Sequence, residues 1–598
     1  MTNSSRLLFR LFCAAMSNAP NQLVEQTPHV LVVGAGINGA AVARELILNG
    51  VSVTIVDAND IAFGATSRSS RLIHGGLRYL ERGDVRLVFE SLRERAILLR
   101  IAPQFVQPLR LQIPVRRRCG GLIWGLLTLL GCERTWIGRL WLRCCPKAKE
   151  RGLWVIRMGL RIYDWLAARS GDHETPTYSV TSILATQTRQ FDSSIRWLCE
   201  YSDAQISFPE RFVVTLLADA QRVAQQQGLT CEVLTHTIAQ FSGSQVWLHD
   251  RLGQSQPKLL SPTIVINATG AWGDATLADW NVGAQKLFGG TKGSHFVTTN
   301  AALRDAIGMN GLYAEASDGR LVFILPFGPE QTLVGTTDEP FSARPDMAVA
   351  EPREIEYLIQ LVNAVVPSAQ LSGNDVLLTC SGVRPLPFGR DDSPSSIPRG
   401  HWIDENSRGP VPILTLIGGK LTTCRKLAEE VADRVLLRLN RPRVIDSRGE
   451  RLPGAQDFPT ANAAMKSLHL WFSQQFGLSV AQVEAVWPLI GNRFEEVFEP
   501  SFACGDSLEQ ADDNASVADT NLPRRFVVWV IRAEWVRSLS DLVERRLMLL
   551  YETRLTTRCL QELAEILAKT GIILRERIDD DVIACIARLR RVYRREVE

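Results

Sequence analysis

Residues 29 to 57 constrain the fold more than any other part of this chain, and their sequence is HVLVVGAGINGAAVARELILNGVSVTIVD. An apolar, strand-like run leads into Gly34, Gly36 and Gly39 in GxGxxG spacing. An Ala-rich helical stretch follows, and a second apolar run ends at the acid Asp57. This order predicts a β–α–β unit of a parallel sheet, with a phosphate-binding turn between its first strand and its helix.

The residues of this turn suit a dinucleotide. Gly34 permits a sharp turn, Gly36 lets the backbone approach a pyrophosphate, and Gly39 lets the helix pack closely on the strand. Asn38 lies in the same turn, at a helix N-terminus that favours anions, and is predicted to contact the cofactor. Asp57 is placed to accept a hydrogen bond from a ribose hydroxyl and argues against a 2′-phosphate there. We predict adenine-dinucleotide binding; the alternative is a glycine-rich turn of purely structural role.

A chain of 598 residues is too long for one ordinary hydrophobic core, so two or more domains are expected. Its 45% hydrophobic and 22% charged residues are typical of a globular protein. The twelve cysteines include no CxxC pair and no Cys/His cluster with metal-ligand spacing, which favours reduced thiols and no metal site. Residues 1 to 28 form a basic, apolar extension, either a surface anchor or a dispensable segment before a start at Met16.

The segment FGATSRSSRLIHGGLRYLERGD, residues 63 to 84, is rich in Ser, Gly and Arg. Hydroxyl and guanidinium groups can bind phosphate or ribose oxygens, and small residues permit close approach to a flat ring. The predicted cofactor contacts of this segment are Ser67, Ser69, Ser70, Arg71, His74, Gly75 and Gly76. Arg78 and Tyr79 offer a cation and a hydroxyl to an anionic substrate. The alternative is a solvated loop that leads into a helix over residues 85 to 99.

The motifs GAGINGA and SSRLIHGGLRYLE closely resemble those of the FAD-dependent glycerol-3-phosphate dehydrogenases, which feed electrons to respiratory quinones. Further matching segments follow in order: RIYDWLA, CEYSDAQ, VINATGAW, KGSHFV, VGTTDEP, SGVRPL, GGKLTTCRKLAE and EWVR. They cover most of the chain apart from the N-terminal extension and one insertion. The resemblance implies FAD as the cofactor and oxidation of sn-glycerol 3-phosphate to dihydroxyacetone phosphate, with ubiquinone or a related quinone as the acceptor.

We expect an α/β fold in which a Rossmann-like FAD-binding domain is interleaved with a mostly antiparallel-sheet substrate domain, followed by a helical C-terminal domain. The first two domains occupy residues 29 to 451, and the last occupies residues 452 to 598. Strand-like runs over residues 194 to 260 and 290 to 400 are assigned to the sheet that covers the flavin. The tail shows helical spacing with many Arg/Glu pairs, and its acidic run from 505 to 521 is predicted to be a mobile loop.

Two more glycine turns are predicted to approach the dinucleotide. A strand over residues 264 to 266 ends in NATG, and a strand over residues 414 to 417 ends in a glycine pair that would open a helix through residue 436. The predicted cofactor-binding residues of these turns are Ala268, Thr269, Gly270, Gly418, Gly419, Lys420, Leu421 and Thr422. Both turns could instead be tight structural connections.

Oxidation of a secondary alcohol needs a hydride acceptor, a site for the alcohol proton and cations for a phosphate. Resemblance and charge assign Arg384 and Arg78 to the phosphate, which a planar guanidinium can bind bidentately. His295 is the favoured general base, because an imidazole titrates near neutrality. Lys420 could instead be the base, or could hold the flavin or the substrate oxygen.

Residues 116 to 151 depart from the family pattern and hold nine Lys or Arg against two acids. Their apolar part is too short to cross a bilayer, so we interpret this insertion as an interfacial element on anionic lipids; a buried hairpin or a homodimer contact is the alternative. We therefore expect a peripheral protein of the cytoplasmic face of the inner membrane, partly cytoplasmic, without a nucleic-acid partner. The rival functions are an oxidase that uses oxygen and a non-catalytic, flavin-stabilised interaction protein.

Overall fold

The computed structural model describes residues 28–80, 83–119, 151–171, 177–182, 190–282, 285–316, 319–388, 400–407, 409–499 and 514–598. The predicted N-terminal extension, most of the insertion at 116 to 151 and the first half of the acidic run lie outside the described residues.

The strands of the described residues are, in chain order, β1 (His29–Val33), β2 (Ser52–Val56), β3 (Leu72–Ile73), β4 (Val106–Val115), β5 (Ser179–Ser182), β6 (Trp197–Ile206), β7 (Cys231–Leu234), β8 (Thr237–Ser242), β9 (Gln245–Asp250), β10 (Lys258–Leu260), β11 (Ile264–Asn267), β12 (Thr291–Thr298), β13 (Gly311–Glu315), β14 (Leu321–Phe327), β15 (Gln331–Gly335), β16 (Glu339–Pro340), β17 (Val376–Arg384), β18 (Trp402–Asn406) and β19 (Ile413–Ile417). The α-helices are α1 (Ile37–Leu48), α2 (Leu77–Leu80), α3 (Val85–Ile101), α4 (Leu153–Arg169), α5 (Pro209–Gln227), α6 (Gly273–Asp279), α7 (Ala301–Ile307), α8 (Pro352–Val365), α9 (Cys424–Arg438), α10 (Asn462–Phe476), α11 (Val480–Ile490), α12 (Phe494–Phe498), α13 (Arg524–Ala533), α14 (Leu539–Asp541), α15 (Thr557–Lys569) and α16 (Ile578–Tyr593).

A six-stranded sheet in the order β18-β19-β11-β1-β2-β7 contains the β–α–β unit. Its strands pair in parallel apart from the edge pair β18 and β19. Every residue of β2, β11 and β19 is buried, which explains why apolar side chains lie on both faces of these strands; their polar residues are Ser52, Thr54, Asn267 and Thr415. Helices α1, α5 and α9 pack together on one face of this sheet. The predicted parallel α/β sheet is confirmed.

The other face of the parallel sheet is covered by a separate three-stranded sheet, β8 to β10. The prediction that residues 231 to 260 belong to the substrate sheet is therefore wrong. β7 instead pairs in parallel with β2, and the inward side chains of β8 and β9 pack on Leu31 and Val265 of the parallel sheet. Alternating apolar and polar residues indicate that one face of a strand is buried, but they do not identify the layer that buries it.

A ten-stranded, mostly antiparallel sheet forms the predicted second layer. Its order is β16-β12-β15-β14-β13-β4-β6-β3, with β17 also paired to β12 and β5 to β6. The register places His295 of β12 opposite Cys380 of β17 and opposite Gly335 of β15, and it places Thr291 opposite Arg384. Because side chains alternate along a strand, Gly293 and His295 lie on the same face of β12.

Helices α10 to α16 confirm the helical C-terminal part, and buried ion pairs attach it to the rest of the chain. The two Asp60 oxygens accept hydrogen bonds from Arg545 at 2.6 Å and from Arg546 at 2.7 Å, and Arg211 pairs with Glu534. Part of the Arg/Glu pattern of the tail thus serves buried contacts between distant segments. Among the described helices, none combines the length and the hydropathy that a membrane span requires.

Candidate active site

A cavity of about 1020 Å³ lies between the two large sheets, at the carboxyl ends of β1, β2, β11 and β19. Its wall includes the GxGxxG turn, Asp57, the loop after Phe63, the NATG turn and the turn after Gly418. The face of β12 that carries His295 closes one end. The carboxyl end of a parallel sheet is where open α/β folds bind their ligands, and this volume is large enough for a dinucleotide.

The phosphate-binding turn has the close packing that its glycines predict. A Cβ atom on Gly39 would lie 1.9 Å from the carbonyl oxygen of Gly34, which itself has a φ of +108°. The Asp57 carboxylate accepts hydrogen bonds from the backbone N–H groups of Ala35 and Asn59, both at 2.8 Å. Burial raises the pKa of Asp57 to about 6, and these two N–H groups oppose the rise. A ribose hydroxyl donating to this carboxylate would favour its charged form further.

The second glycine turn adjoins the first. The Asn38 side-chain amide donates to the carbonyl oxygen of Gly418 at 3.4 Å, and a Cβ on Gly419 would lie 2.6 Å from that amide nitrogen. Both glycines have positive φ, of 76° and 90°, so the glycine pair forms a turn, and α9 begins only at Cys424. The predicted helix through residue 436 is confirmed, but it begins after the glycine pair rather than at it. Lys420 Nζ lies 4.0 Å from the centre of the Tyr79 ring, a cation–π contact at the cavity wall.

His295 is held by the loop that precedes β3. Its Nε2 atom lies 2.9 Å from the Ser70 hydroxyl, whereas Nδ1 is buried and has no hydrogen-bond partner among the described residues. Burial, together with the charges of Arg384 and Arg71, lowers the pKa of His295 to about 3. The ring is therefore neutral near pH 7, and the expectation that it titrates near neutrality is wrong. A Cβ on Gly335 would lie 2.1 Å from His295 Cδ2, so only glycine leaves room for the ring.

Arg384 reaches over the same face of the sheet, across Gly293. A Cβ on Gly293 would lie 2.3 Å from an Arg384 terminal nitrogen. The guanidinium donates to Asp338 Oδ1 at 2.8 Å, to Thr336 Oγ1 at 3.1 Å and to the carbonyl oxygen of Thr337 at 3.0 Å. These bonds fix its plane, so a neutral imidazole and an oriented guanidinium share one end of the cavity.

Several of the binding residues that we predicted between positions 67 and 78 do not face the cavity as expected. Ser67 bonds the carbonyl oxygen of Gly64 within its own turn, and Gly75 N–H donates to Tyr163 and Asp203 behind the cavity. The Arg71 guanidinium is buried and donates to Glu210 at 2.8 Å, so it is already paired within the protein. Among the residues predicted in this segment, the described cavity lining includes Ser69, Ser70, Arg71, His74 and Tyr79. It does not include Ser67, Gly75, Gly76 or Arg78.

A profile of the FAD dependent oxidoreductase family matches residues 29–425, more than half of the chain. The chain belongs to the FAD-dependent oxidoreductase family. It is 31% identical to a glycerol-3-phosphate dehydrogenase of Synechocystis, over 89% of this chain and 90% of that protein. It is 28% identical to a D-erythritol 1-phosphate dehydrogenase of Brucella abortus, over 87% of this chain and 94% of that protein. The fold matches that of a Bacillus halodurans glycerol-3-phosphate dehydrogenase complexed with FAD, with a TM-score of 0.68, 19% identity and 95% coverage of both chains.

The cofactor of this FAD-dependent oxidoreductase is FAD, as the resemblance implied. Its cavity fits that group, because close-packed glycines leave backbone surface open where a pyrophosphate needs it. The N-terminus of α1 would hold the pyrophosphate, and Asp57 would hold the adenosine ribose. The flavin would then extend toward the turn after Gly418 and toward His295.

Sequence reasoning missed several residues of this FAD-dependent oxidoreductase that line the cavity. Thr66 accepts a hydrogen bond from the first N–H of α1, that of Ile37, at 3.1 Å. Arg68 lines the cavity beside Gly382 and donates to the carbonyl oxygen of Ser381 at 3.3 Å. Both belong to the Ser/Arg-rich segment already singled out, but composition alone does not identify which of its side chains face inward. The segment VGTTDEP contains the loop that binds Arg384. Apart from the family resemblance, its small polar residues gave no indication of this role.

Proposed function

We propose that this enzyme oxidises sn-glycerol 3-phosphate to dihydroxyacetone phosphate. The observation that supports this most is that two groups lie at one end of the FAD cavity: the neutral His295 ring, whose buried Nδ1 has no hydrogen-bond partner among the described residues, and the oriented Arg384 guanidinium. Oxidation of a phosphorylated secondary alcohol needs a group that takes up the hydroxyl proton and a cation that binds the phosphate. The similarity to a glycerol-3-phosphate dehydrogenase over most of both chains supports the same substrate.

The chain's own residues have separate tasks in this reaction. Arg384 binds the substrate phosphate and, with it, fixes the position of the alcohol. His295 Nδ1 accepts the hydroxyl proton while Nε2 stays bound to Ser70. Lys420 adds positive charge near the developing negative charge of the oxygen. Bound FAD supplies the acceptor for the hydride that leaves the carbinol carbon.

A longer phosphorylated polyol is the second candidate substrate, because the similarity to a D-erythritol 1-phosphate dehydrogenase extends over as much of the chain. Bleaching of the visible flavin absorbance under anaerobic conditions tests both. We expect glycerol 3-phosphate to reduce the flavin faster than D-erythritol 1-phosphate at equal, subsaturating concentration. The opposite order would make D-erythritol 1-phosphate the proposed substrate.

The proposed electron acceptor is a membrane quinone, and the outer face of α4 supports contact with a bilayer. Trp154, Met158, Ile162 and Trp165 recur at helical spacing and are 55%, 56%, 42% and 52% exposed. Arg157 and Arg169 lie over the Trp154 and Trp165 rings at 5.5 and 4.0 Å, and so add cations beside the apolar stripe. Aromatic and aliphatic side chains bordered by arginine suit the headgroup region of anionic lipids.

The inner face of the same helix contacts residues that lie directly behind the cavity wall. Tyr163 OH donates to Asp203 Oδ1 at 2.8 Å and accepts from Gly75 N–H, next to His74 of the cavity lining. A helix with its side chains is about 10 Å across. The apolar stripe is thus separated from the cavity wall by little more than one helix, which favours a quinone over a soluble acceptor.

Replacing Trp154 and Trp165 together with glutamine is expected to weaken binding to vesicles of anionic phospholipid by about tenfold or more, because two interfacial rings are lost. Co-sedimentation with the vesicles measures this. The matched control replaces Trp247 and Trp471, which are 38% and 45% exposed elsewhere on the surface. Activity with a soluble dye should survive in both variants. If both double variants lost vesicle binding equally, α4 would not be the element that contacts the membrane.

A further inference from the structure

A tyrosine of the C-terminal part reaches a buried arginine next to the cavity. The Tyr551 hydroxyl accepts a hydrogen bond from an Arg71 terminal nitrogen at 2.6 Å, and the same nitrogen donates to Glu210 at 2.8 Å. The Arg71 guanidinium also lies 4.6 Å from the Tyr551 ring centre and 5.2 Å from that of Phe327. The Arg71 side chain is therefore held on several sides at once.

Arg71 adopts a backbone conformation that needs such support. Its φ is +55°, in the left-handed region that non-glycine residues rarely occupy. The preceding residue is Ser70, whose hydroxyl is the hydrogen-bond partner of His295 Nε2. The orientation of Ser70 toward the imidazole thus depends on a turn that its neighbour's side chain anchors.

Tyr551 also contacts the strand on the other side of the imidazole. Its carbonyl oxygen accepts a hydrogen bond from the Gln331 side chain at 2.6 Å. Gln331 begins β15, the strand whose last residue, Gly335, lies against the His295 ring. One residue of the C-terminal part therefore touches both elements that confine the imidazole.

We propose, on the basis of the function proposed above, that Tyr551 is a positioning residue for catalysis. It holds Arg71, which sets the turn at Ser70, and Ser70 fixes the imidazole through Nε2 so that Nδ1 faces the substrate hydroxyl. The groups that face His295 are Arg384 and Cys380 from β17, the Ser70 hydroxyl and Arg71 from the loop, and Gly335 from β15. The C-terminal part is in this sense a component of the active site.

The test compares three single variants of the full-length holoenzyme, Tyr551→Phe, Ser70→Ala and Tyr593→Phe. Tyr593 is the matched control, since its hydroxyl is also buried in the C-terminal part and donates to Glu544 at 2.8 Å without a contact to Arg71. We expect Tyr551→Phe and Ser70→Ala each to lower kcat about tenfold, with KM for glycerol 3-phosphate within about twofold of wild type. Tyr593→Phe should leave both constants near wild type.

The double variant Ser70→Ala/Tyr551→Phe distinguishes positioning from a general effect on structure. Residues that act along one route are non-additive, so the double variant should be no slower than Ser70→Ala alone. Additive losses, or a Tyr551→Phe enzyme that behaves like Tyr593→Phe, would overturn the role of Tyr551.

A crystal structure of the Tyr551→Phe holoenzyme provides a readout that needs no substrate. We expect the Ser70 Oγ to His295 Nε2 contact to lengthen beyond hydrogen-bond distance; an unchanged 2.9 Å contact would overturn the role of Tyr551. Failure of the proposed function would be visible separately, as a wild-type flavin that glycerol 3-phosphate does not reduce.

Discussion

Replacing His295 with asparagine is expected to slow reduction of the flavin by glycerol 3-phosphate by about 10²- to 10⁴-fold, the range typical of a lost general base. The reason is that His295 lines the end of the cavity where the substrate alcohol would lie, and its Nδ1 atom is buried without a hydrogen-bond partner among the described residues. Asparagine keeps a polar side chain of smaller size but cannot take up the proton. Anaerobic stopped-flow absorbance measures the rate directly.

His249→Asn is the matched control, because His249 lies on β9 and is not among the described residues that line the cavity. It should reduce its flavin at the wild-type rate. FAD content should be unchanged in both variants, since the residues predicted to hold the dinucleotide are retained. A His295→Asn enzyme within about tenfold of wild type would assign proton transfer to another group, with Lys420 the first to examine.

Replacing Arg384 with alanine is expected to raise the apparent dissociation constant for glycerol 3-phosphate by about 100-fold, or about 3 kcal/mol, through loss of a bidentate phosphate contact. The guanidinium is already oriented by Asp338, Thr336 and Thr337, so little order has to be created on binding. The dependence of the flavin reduction rate on substrate concentration gives this constant. Arg384→Lys should be intermediate, because it keeps the charge but not the planar fork.

Removal of Arg384 should also raise the pKa of His295, since the Arg384 charge is one of the causes of its depression. The limiting rate of reduction at saturating substrate should therefore change less than the dissociation constant. A wild-type dissociation constant in Arg384→Ala would exclude this residue from the phosphate site.

The dinucleotide half of the site could be predicted from sequence because its determinants are local. The glycines, the helix N-terminus and Asp57 belong to one continuous β–α–β unit, and each residue type has a backbone reason to be there. Gly34 and Gly39 illustrate this, since their close contact follows from the spacing alone. That His295 and Arg384 lie at the same site could be predicted only from the family resemblance, because neither segment alone indicates the register between β12 and β17.

Arg71 shows where local reasoning fails. It was predicted to bind phosphate or ribose oxygens, because an arginine beside serines in a glycine-rich loop is suited to them. Its actual partners are Glu210, 139 residues away in sequence, and Tyr551, 480 residues away. A charged side chain pairs with whichever opposite charge or hydrogen-bond partner the tertiary fold brings close to it. When the side chain is buried, it must have such a partner, because a buried charge without one is very unfavourable. The same holds for Arg545 and Arg546, whose partner Asp60 lies in the cofactor-binding part.

The measurement that tests the account most directly is an anaerobic titration of the FAD-loaded enzyme with glycerol 3-phosphate, followed by a ubiquinone analogue or by air. We predict that the substrate bleaches the flavin absorbance and that the quinone analogue restores it much faster than oxygen does. Fast recovery in air with release of peroxide would contradict the quinone acceptor and favour an oxidase. A flavin that no phosphorylated polyol bleaches would contradict the proposed oxidation itself.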